Sequence, residues 1–123
     1  MKAALDPTVL VGGELAQIGG NLRLGDTSYL VFEACEYVES FLKFRPKSEV
    51  VLNIDNDHLD FFKNIDNIQK SFNEYVSHLP KDGLLVVNKD EAADSITANP
   101  AVRGSFKYEN YSFSRCSFRF KTK

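Results

Sequence analysis

Long apolar runs are missing from this sequence, and their absence narrows the classes of protein that it can encode. The longest strongly apolar stretches, residues 29–32 and 84–87, are short, whereas a membrane-spanning helix needs roughly 20 such residues. Near the N-terminus only residues 3–5 form an apolar stretch before Asp6 and Pro7, so the apolar core of a secretory signal cannot form there. We therefore expect neither a membrane partner nor secretion.

The sequence also contains few cysteines and has no excess of basic residues. The two cysteines, Cys35 and Cys116, provide neither a disulfide framework nor the spacing of metal ligands, which favours a reducing compartment such as the cytoplasm. Lys and Arg total 15 against 17 Asp and Glu, giving a net charge of -2. Without a basic excess to neutralise a phosphate backbone, we expect no nucleic-acid partner.

The length and the apolar pattern predict one α/β domain. A chain of 123 residues has room for a single hydrophobic core of ordinary size. Strand-like segments at residues 9–11, 29–33, 50–54 and 84–87 alternate with helical segments, which is typical of a mostly parallel sheet flanked by helices. Because the second and third segments are continuously apolar, they are predicted to be covered on both faces.

Two helices are predicted in the second half of the chain. Asp66, followed three residues later by Gln69, has the spacing of a capping box, and Pro80 ends the helix. A shorter helix is predicted from Asp90 to Ile96. The first of these helices would bury one apolar face made of Ile68, Phe72, Tyr75, Val76 and Leu79.

The C-terminal tail alternates aromatic and basic residues from 106 to 120. This pattern has two interpretations: a platform on which nucleic-acid bases stack, or terminal strands that turn their aromatic side chains inward. We favour aromatic-rich terminal strands, because the chain as a whole is acidic. No function is assigned to the tail.

Candidate chemistry follows the two central strands. Glu33 closes one of them, and residues 53–60 follow the other with three aspartates and His58. Ligands of open α/β sheets bind at the carboxyl ends of strands, so these groups are placed where a site forms. The set lacks the glycine and the glutamate of a calcium-binding EF-hand loop, and it lacks the ligands of a zinc tetrahedron. An oxygen-rich magnesium site remains.

An alternative accounts for part of this cluster. Asp55, Asp57 and Asp60 could simply cap the next helical turn, and we favour that interpretation for these three residues. It does not explain Glu33 and His58.

A glycine-rich pattern lies near the N-terminus. Gly12 and Gly13 are followed by residues 19–25, which include Arg23. Exposed backbone N–H groups beside an arginine suit a phosphate, although a glycine-rich stretch between strands is more often a matter of turn geometry. The chain contains neither G-x-G-x-x-G nor the P-loop motif G-x-x-x-x-G-K-[ST].

Taken in order, these stretches resemble the central, ATP-binding domain of the Mur ligases. The resemblance is carried by residues 6–13, residues 19–25, residues 32–36 with 40–42, and residues 53–54 with 57–60. It extends over residues 1–90, and residues 91–123 match weakly. The family often has Glu-Ala-Asp-Glu where this chain has Glu33, Ala34, Cys35 and Glu36.

The resemblance implies a reaction and a set of site residues. Mur ligases use ATP and Mg²⁺ to activate a carboxylate as an acyl phosphate and join it to an amino acid, and the branch resembled here joins L-alanine to UDP-N-acetylmuramate. Glu33 and His58 resemble the family's magnesium ligands. Asn21 lies where the family contacts its UDP-sugar, and Arg23 belongs to the same loop.

The resemblance also implies a partial domain. The family's P-loop precedes the matched region and a C-terminal domain follows it, so we expect this chain to be inactive alone, to bind no cofactor tightly, and to self-associate through an exposed sheet edge. Two alternatives stay open: a non-catalytic remnant that binds a UDP-sugar or a partner subunit, and a related ligase that attaches a whole peptide.

Overall fold

A computed structural model describes residues 4–88, residue 96 and the backbone of residues 107–111. The chain divides into two compact units, Met1–Cys35 and Glu36–Lys123, and each is described by itself. The strands are β1 (Thr8–Leu15), β2 (Gly20–Arg23), β3 (Leu30–Phe32), β4 (Ser48–Val51), β5 (Leu84–Asn88) and β6 (Lys107–Tyr111). The helices are α1 (Leu59–Phe62), α2 (Ile65–Val76) and two 3-10 helices, Ala16–Ile18 and Tyr37–Lys43.

The first unit is a three-stranded sheet with the order β2-β1-β3. β1 runs antiparallel to β2 and parallel to β3. Gly19 ends the 3-10 helix between β1 and β2 with φ 71°, a left-handed conformation that glycine adopts without steric cost. Gly12 and Gly13 lie within β1, and Gly20 begins β2. Turn and strand geometry therefore accounts for these four glycines.

Gly25 is required for a different reason, which is close packing of the backbone. A Cβ atom at this position would lie 2.2 Å from the carbonyl oxygen of Asp6. The Asp6 carboxylate also accepts a hydrogen bond from the Asp26 N–H at 2.8 Å. The Asp6 segment and the loop that leads to β3 are thus pressed together, and only glycine fits between them.

The second unit is a parallel three-stranded sheet with the order β4-β5-β6. The helix α2 lies between β4 and β5 along the chain, as expected for a crossover between parallel strands. The apolar core of this unit consists of Val51, Val76, Leu79, Leu85, Val87 and Ile96. The prediction of a mixed α/β fold is therefore confirmed, with three parallel strand pairings and one antiparallel pairing among the described strands.

The predicted coverage of both faces of the two central strands is wrong. On β3, Leu30 is 59% exposed, and on β4, Val50 is 55% exposed, although Val51 beside it is buried. β3 and β4 are both edge strands of the described sheets. An apolar run in the sequence shows that the side chains are apolar. It does not show whether another element packs against each face of the strand, and this decides burial.

The predicted main helix is confirmed, but its start is earlier than predicted. Asn64 is the N-cap of α2, and its side chain accepts a hydrogen bond from the Asn67 N–H at 2.9 Å. Asp66 lies within the first turn instead of capping it. Of the shorter predicted helix, only Ile96 is described, and it is helical and fully buried.

In the aromatic tail the structure describes only the backbone of β6, which pairs in parallel with β5. The other tail residues and Cys116 lie outside the described residues, so the prediction of aromatic-rich terminal strands remains a prediction. None of the helices in the described part of the chain has the length and apolar character needed to cross a membrane.

Candidate metal centre

The first half of the candidate site is the segment at Glu36 and Tyr37, which opens a 3-10 helix. Phe41 anchors this helix: it is almost completely buried, and its ring lies 5.2 Å from that of Phe72 and 4.6 Å from that of Tyr75, both on α2. These aromatic contacts pack the later part of the segment against α2. Between Phe41 and Glu36 the backbone bends at Val38 and Glu39, which have positive φ values.

The second half is the turn after β4. The Asn56 N–H donates to Oδ1 of Asp55, and the His58 N–H donates to Oδ1 of Asp57, both at 2.7 Å. His58 adopts a left-handed backbone conformation, with φ 52° and ψ 40°, at the N-cap of α1. Such a conformation is uncommon for a residue other than glycine, so the turn places the imidazole in a specific direction.

These two segments bring three metal-binding side chains together. Nε2 of His58 lies 3.8 Å from Oε1 of Glu36 and 3.9 Å from Oδ2 of Asp57, and one ligand atom from each residue lies within 4.8 Å of the others. Ligands bound to one Mg²⁺ at about 2.1 Å are roughly 3.0 Å apart when adjacent and 4.2 Å apart when opposite. The cluster therefore fits a shared ion after small side-chain movements.

The polarity and exposure of the cluster also suit a magnesium ion. Two of the three donors are carboxylates, the ligands that a hard cation prefers. The side chains of Glu36 and His58 are 30% and 33% exposed, and that of Asp57 is 75% exposed. Solvent can reach the remaining coordination positions, where water or a phosphate would bind.

Tyr37 lies against the imidazole of this cluster. Its ring centroid is 4.7 Å from that of His58, and it contacts the Phe61 ring edge-on at 6.2 Å. The Tyr37 hydroxyl donates a hydrogen bond to Oδ2 of Asp60 at 3.2 Å. The Asp60 carboxylate beside it raises the pKa of the Tyr37 phenol.

An open cleft of about 360 Å³ adjoins the cluster. Glu36 and Asp57 belong both to this cleft and to the metal cluster. The cleft offers a polar rim and a small apolar surface next to the candidate metal position. Its lining residues are Glu36, Asn53, Asp55, Asn56, Asp57, Ile68 and Phe72.

The predicted metal ligand Glu33 belongs to the other unit. It follows β3, is exposed, and accepts a hydrogen bond at Oε2 from the Gly12 N–H at 2.8 Å. Because Glu33 and His58 fall in different units, their predicted approach to one metal ion stays a prediction.

The two predicted substrate-binding residues lie on β2. Asn21 is exposed. Arg23 forms an ion pair with Asp6 and donates a hydrogen bond from Nη1 to the carbonyl oxygen of Pro7 at 2.9 Å. Backbone and side-chain hydrogen bonds, above all from the Asp26 N–H and from Arg23, lower the pKa of Asp6. Arg23 therefore has a structural role in the first unit.

Sequence reasoning missed two members of the cluster. The sequence pattern gives Glu36 no role beyond its place in the Glu33–Glu36 motif, and it favours a helix cap for Asp57. The structure shows instead that α1 has His58 at its N-cap with no side-chain cap, and that Asp57 contacts the N–H of His58. The available signal was the position of Asp57 directly beside the histidine. No sequence signal pointed to Tyr37.

Comparison with protein families adds an independent finding. The family model described as the Mur ligase middle domain matches residues 14–121. A UDP-N-acetylmuramate–L-alanine ligase of Caldanaerobacter subterraneus subsp. tengcongensis is 59% identical over 91 residues, which are 74% of this chain and 20% of that protein. A ligase of the same name from Clostridium tetani is 51% identical over 100 residues, covering 80% of this chain and 22% of that protein.

Solved structures give the same fold. The chain is similar to the UDP-N-acetylmuramate:L-alanyl-gamma-D-glutamyl-meso-diaminopimelate ligase from Neisseria meningitides, with a TM-score of 0.72 and 27% identity, over 88% of this chain and 38% of that one. A murein peptide ligase of Psychrobacter arcticus has a TM-score of 0.57 at 22% identity, over 89% of this chain and 26% of that one. The chain spans about a fifth of the length of the curated relatives that it matches.

Proposed function

The chain belongs to the Mur ligase family, and from this premise we propose that it forms part of the middle domain of an ATP-dependent UDP-N-acetylmuramate–L-alanine ligase. The proposed enzyme works in the bacterial cytoplasm, in the synthesis of peptidoglycan. High identity to bacterial ligases of that name supports the proposal. The observation that carries it is the cluster of Glu36, Asp57 and His58, a donor set that suits Mg²⁺.

The proposed metal site is this cluster of the second unit. His58, Glu36 and Asp57 would hold Mg²⁺, and the metal-binding role predicted for Glu33 stays a prediction. Neutral imidazole is needed for His58 to bind a metal. When bound, Mg²⁺ would neutralise the charge on the phosphate oxygens of ATP.

The residues of the chain have distinct parts in the proposed reaction. ATP would phosphorylate the muramoyl carboxylate, and the amine of L-alanine would then displace phosphate from the acyl phosphate. The carboxylates of Glu36 and Asp57 and the imidazole of His58 act by positioning, because phosphoryl transfer depends mostly on orientation and charge neutralisation. Asn21, exposed on β2, is available for contact with the UDP-sugar. Arg23 lies on the same strand, paired with Asp6 and Pro7, and its contact with the UDP-sugar stays a prediction.

A second candidate function is a ligase that attaches a peptide. One specific observation favours it: the Neisseria meningitides structure, whose name describes a peptide ligase, superimposes on most of this chain. The curated relatives named as L-alanine ligases are much closer in sequence, at 51–59% identity. We therefore propose L-alanine as the amino acid.

Metal binding by the purified chain tests the site. Mn²⁺, used as a probe for Mg²⁺, can be titrated and followed by electron paramagnetic resonance. We expect His58→Ala and Glu36→Gln each to weaken Mn²⁺ binding by about tenfold or more. Asp66→Asn, which removes an exposed acid from the first turn of α2, is the matched control and should leave binding unchanged. Equal binding by the wild type and His58→Ala would show that the cluster is not a metal site.

A chimera tests the reaction. The matched 91 residues of the Caldanaerobacter ligase are replaced by those of this chain, and ligation of L-alanine to UDP-N-acetylmuramate is measured with ATP. We expect an active chimera that His58→Ala inactivates. A folded but inactive chimera, in which the transplanted segment still binds the UDP-sugar, would support a non-catalytic remnant. Activity with the peptide and not with L-alanine would support the second candidate.

A further inference from the structure

Tyr37 joins the two chain segments that carry the metal cluster. It follows Glu36 directly in the sequence, and its ring lies against the imidazole of His58 with centroids 4.7 Å apart. Its hydroxyl reaches Asp60, which lies in the first turn of α1 immediately after His58. The Tyr37 side chain thus contacts the turn after β4 at two residues, His58 and Asp60. Its backbone is bonded directly to Glu36, the acid that the other segment contributes to the metal cluster.

Among the described residues, the imidazole of His58 has few other close contacts. The backbone is fixed, because the His58 N–H donates to Asp57 and the carbonyl oxygen accepts from the N–H groups of Phe61 and Phe62. The ring itself is one-third exposed, and the carboxylate oxygens of Glu36 and Asp57 are 3.8 and 3.9 Å from Nε2, beyond hydrogen-bond distance. Within the described part of the chain, the ring contact with Tyr37 is therefore the main restraint on the direction of the imidazole.

We propose that Tyr37 is a positioning residue that holds the His58 imidazole beside Glu36 in the metal-binding orientation. The proposal rests on the metal site described under the proposed function. A ligand that is fixed before the metal arrives loses less side-chain freedom on binding, so pre-organisation raises affinity without adding a metal contact. In this proposal Tyr37 acts through His58 and is not itself a metal ligand.

The ring and the hydroxyl make separable contributions. The ring contacts His58 directly, whereas the hydroxyl binds Asp60 through an exposed hydrogen bond of 3.2 Å. An aromatic contact of this kind is worth more than an exposed hydrogen bond of that length. The ring should therefore carry most of the effect, and Tyr37→Phe should keep it.

The test is Mn²⁺ affinity measured by electron paramagnetic resonance on the purified chain, with the wild type, Tyr37→Phe and Tyr37→Leu. We expect Tyr37→Leu to weaken binding by roughly three- to tenfold, equivalent to about 0.7–1.4 kcal/mol, and Tyr37→Phe to stay within about twofold of the wild type. Tyr29→Leu is the control, since Tyr29 is an exposed tyrosine with no described ring contact to Tyr37 or His58. It should change affinity by less than about twofold.

A second readout separates positioning from general stability. Bound Mn²⁺ broadens the nuclear magnetic resonance signals of nearby protons, so His58 ring signals report whether the imidazole is at the metal. In Tyr37→Leu at matched metal occupancy, the His58 signals should broaden less than in the wild type, while backbone signals of Glu36 and Asp57 broaden equally. If Tyr37→Leu does not fold, Tyr37→Met gives the same comparison.

The outcomes distinguish this proposal from the metal site on which it rests. If His58→Ala loses metal but Tyr37→Leu binds like the wild type, the positioning role is wrong and the metal site stands. If His58→Ala also binds like the wild type, the metal site itself is wrong. If Tyr29→Leu weakens binding as much as Tyr37→Leu, the effect is a general loss of stability and the positioning role is overturned.

Discussion

The carboxyl group of Glu49 and the phenol of Tyr75 are buried together in the second unit. Glu49 is only 5% exposed, and within the described part of the chain neither of its carboxylate oxygens has a hydrogen-bond partner. Burial raises the pKa of Glu49 from 4.5 to about 8. Burial first, and then the nearby Glu49 carboxyl, raise the pKa of Tyr75 to about 12. Glu49 is therefore mostly protonated at neutral pH in the folded chain.

The first prediction follows from this shift and concerns the pH dependence of folding. Because the folded state binds the Glu49 proton more tightly than the unfolded state, its contribution to stability is fully present below about pH 4.5 and is lost as the pH rises towards 8. Glu49→Gln cannot titrate. We expect the variant to gain roughly 2–4 kcal/mol over the wild type between pH 4.5 and pH 8.5, measured by urea unfolding.

A second glutamate controls for the loss of charge. Glu74 lies on α2 and is exposed, so Glu74→Gln removes the same charge without relieving burial. Its stability difference from the wild type should be small at both pH values. If the difference in unfolding free energy between Glu49→Gln and the wild type did not change with pH, the pKa of Glu49 would not be raised by folding, and the prediction would be wrong.

The second prediction concerns the open edge of the second sheet. β4 is an edge strand among the described strands, and Val50 and the following Leu52 are 55% and 57% exposed. An exposed apolar edge strand can pair with another copy of the chain. We expect concentration-dependent self-association in sedimentation velocity, reduced by Val50→Lys because a charged edge opposes pairing.

Leu24→Lys provides the comparison for this edge. Leu24 is 78% exposed but lies outside the strands, so a lysine there adds the same charge without touching an edge. It should leave self-association unchanged. A monomer at every concentration, in the wild type as well as the variants, would contradict the prediction.

Local signals predicted much of the fold. The apolar face of α2 and the positions of four strands follow from periodicity, which depends on nearby residues alone. The start of α2 was misplaced because Asn64 and Asp66 are both good capping residues. Two local hydrogen bonds accompany the choice of Asn64: its side chain accepts from the Asn67 N–H, and the Asn67 side chain donates to the carbonyl oxygen of Phe62 at 2.7 Å.

The candidate site was only partly predictable, for a related reason. His58 stood out as a histidine among acids after a strand, and resemblance to a family gave it a role. Glu36 lies near His58, and Tyr37 contacts its imidazole. Both contacts form because the segment at residues 36–37 packs against the turn after β4, which is about 20 residues away in the sequence. The spacing of residues along the chain does not predict contacts between distant segments, so only the structure identifies these contacts.

The last prediction is that this chain alone binds ATP weakly and does not hydrolyse it. ATP-binding sites of this type hold the phosphates through P-loop N–H groups and a lysine, and the sequence contains no G-x-x-x-x-G-K-[ST] motif. Each missing charge-assisted hydrogen bond is worth about 1.5–3 kcal/mol, so the dissociation constant should be about millimolar or weaker. Calorimetry with ATP and Mg²⁺ measures it, and His58→Ala should make little difference. Micromolar binding that His58→Ala abolishes would instead reveal a complete nucleotide site built around the Glu36, Asp57 and His58 cluster.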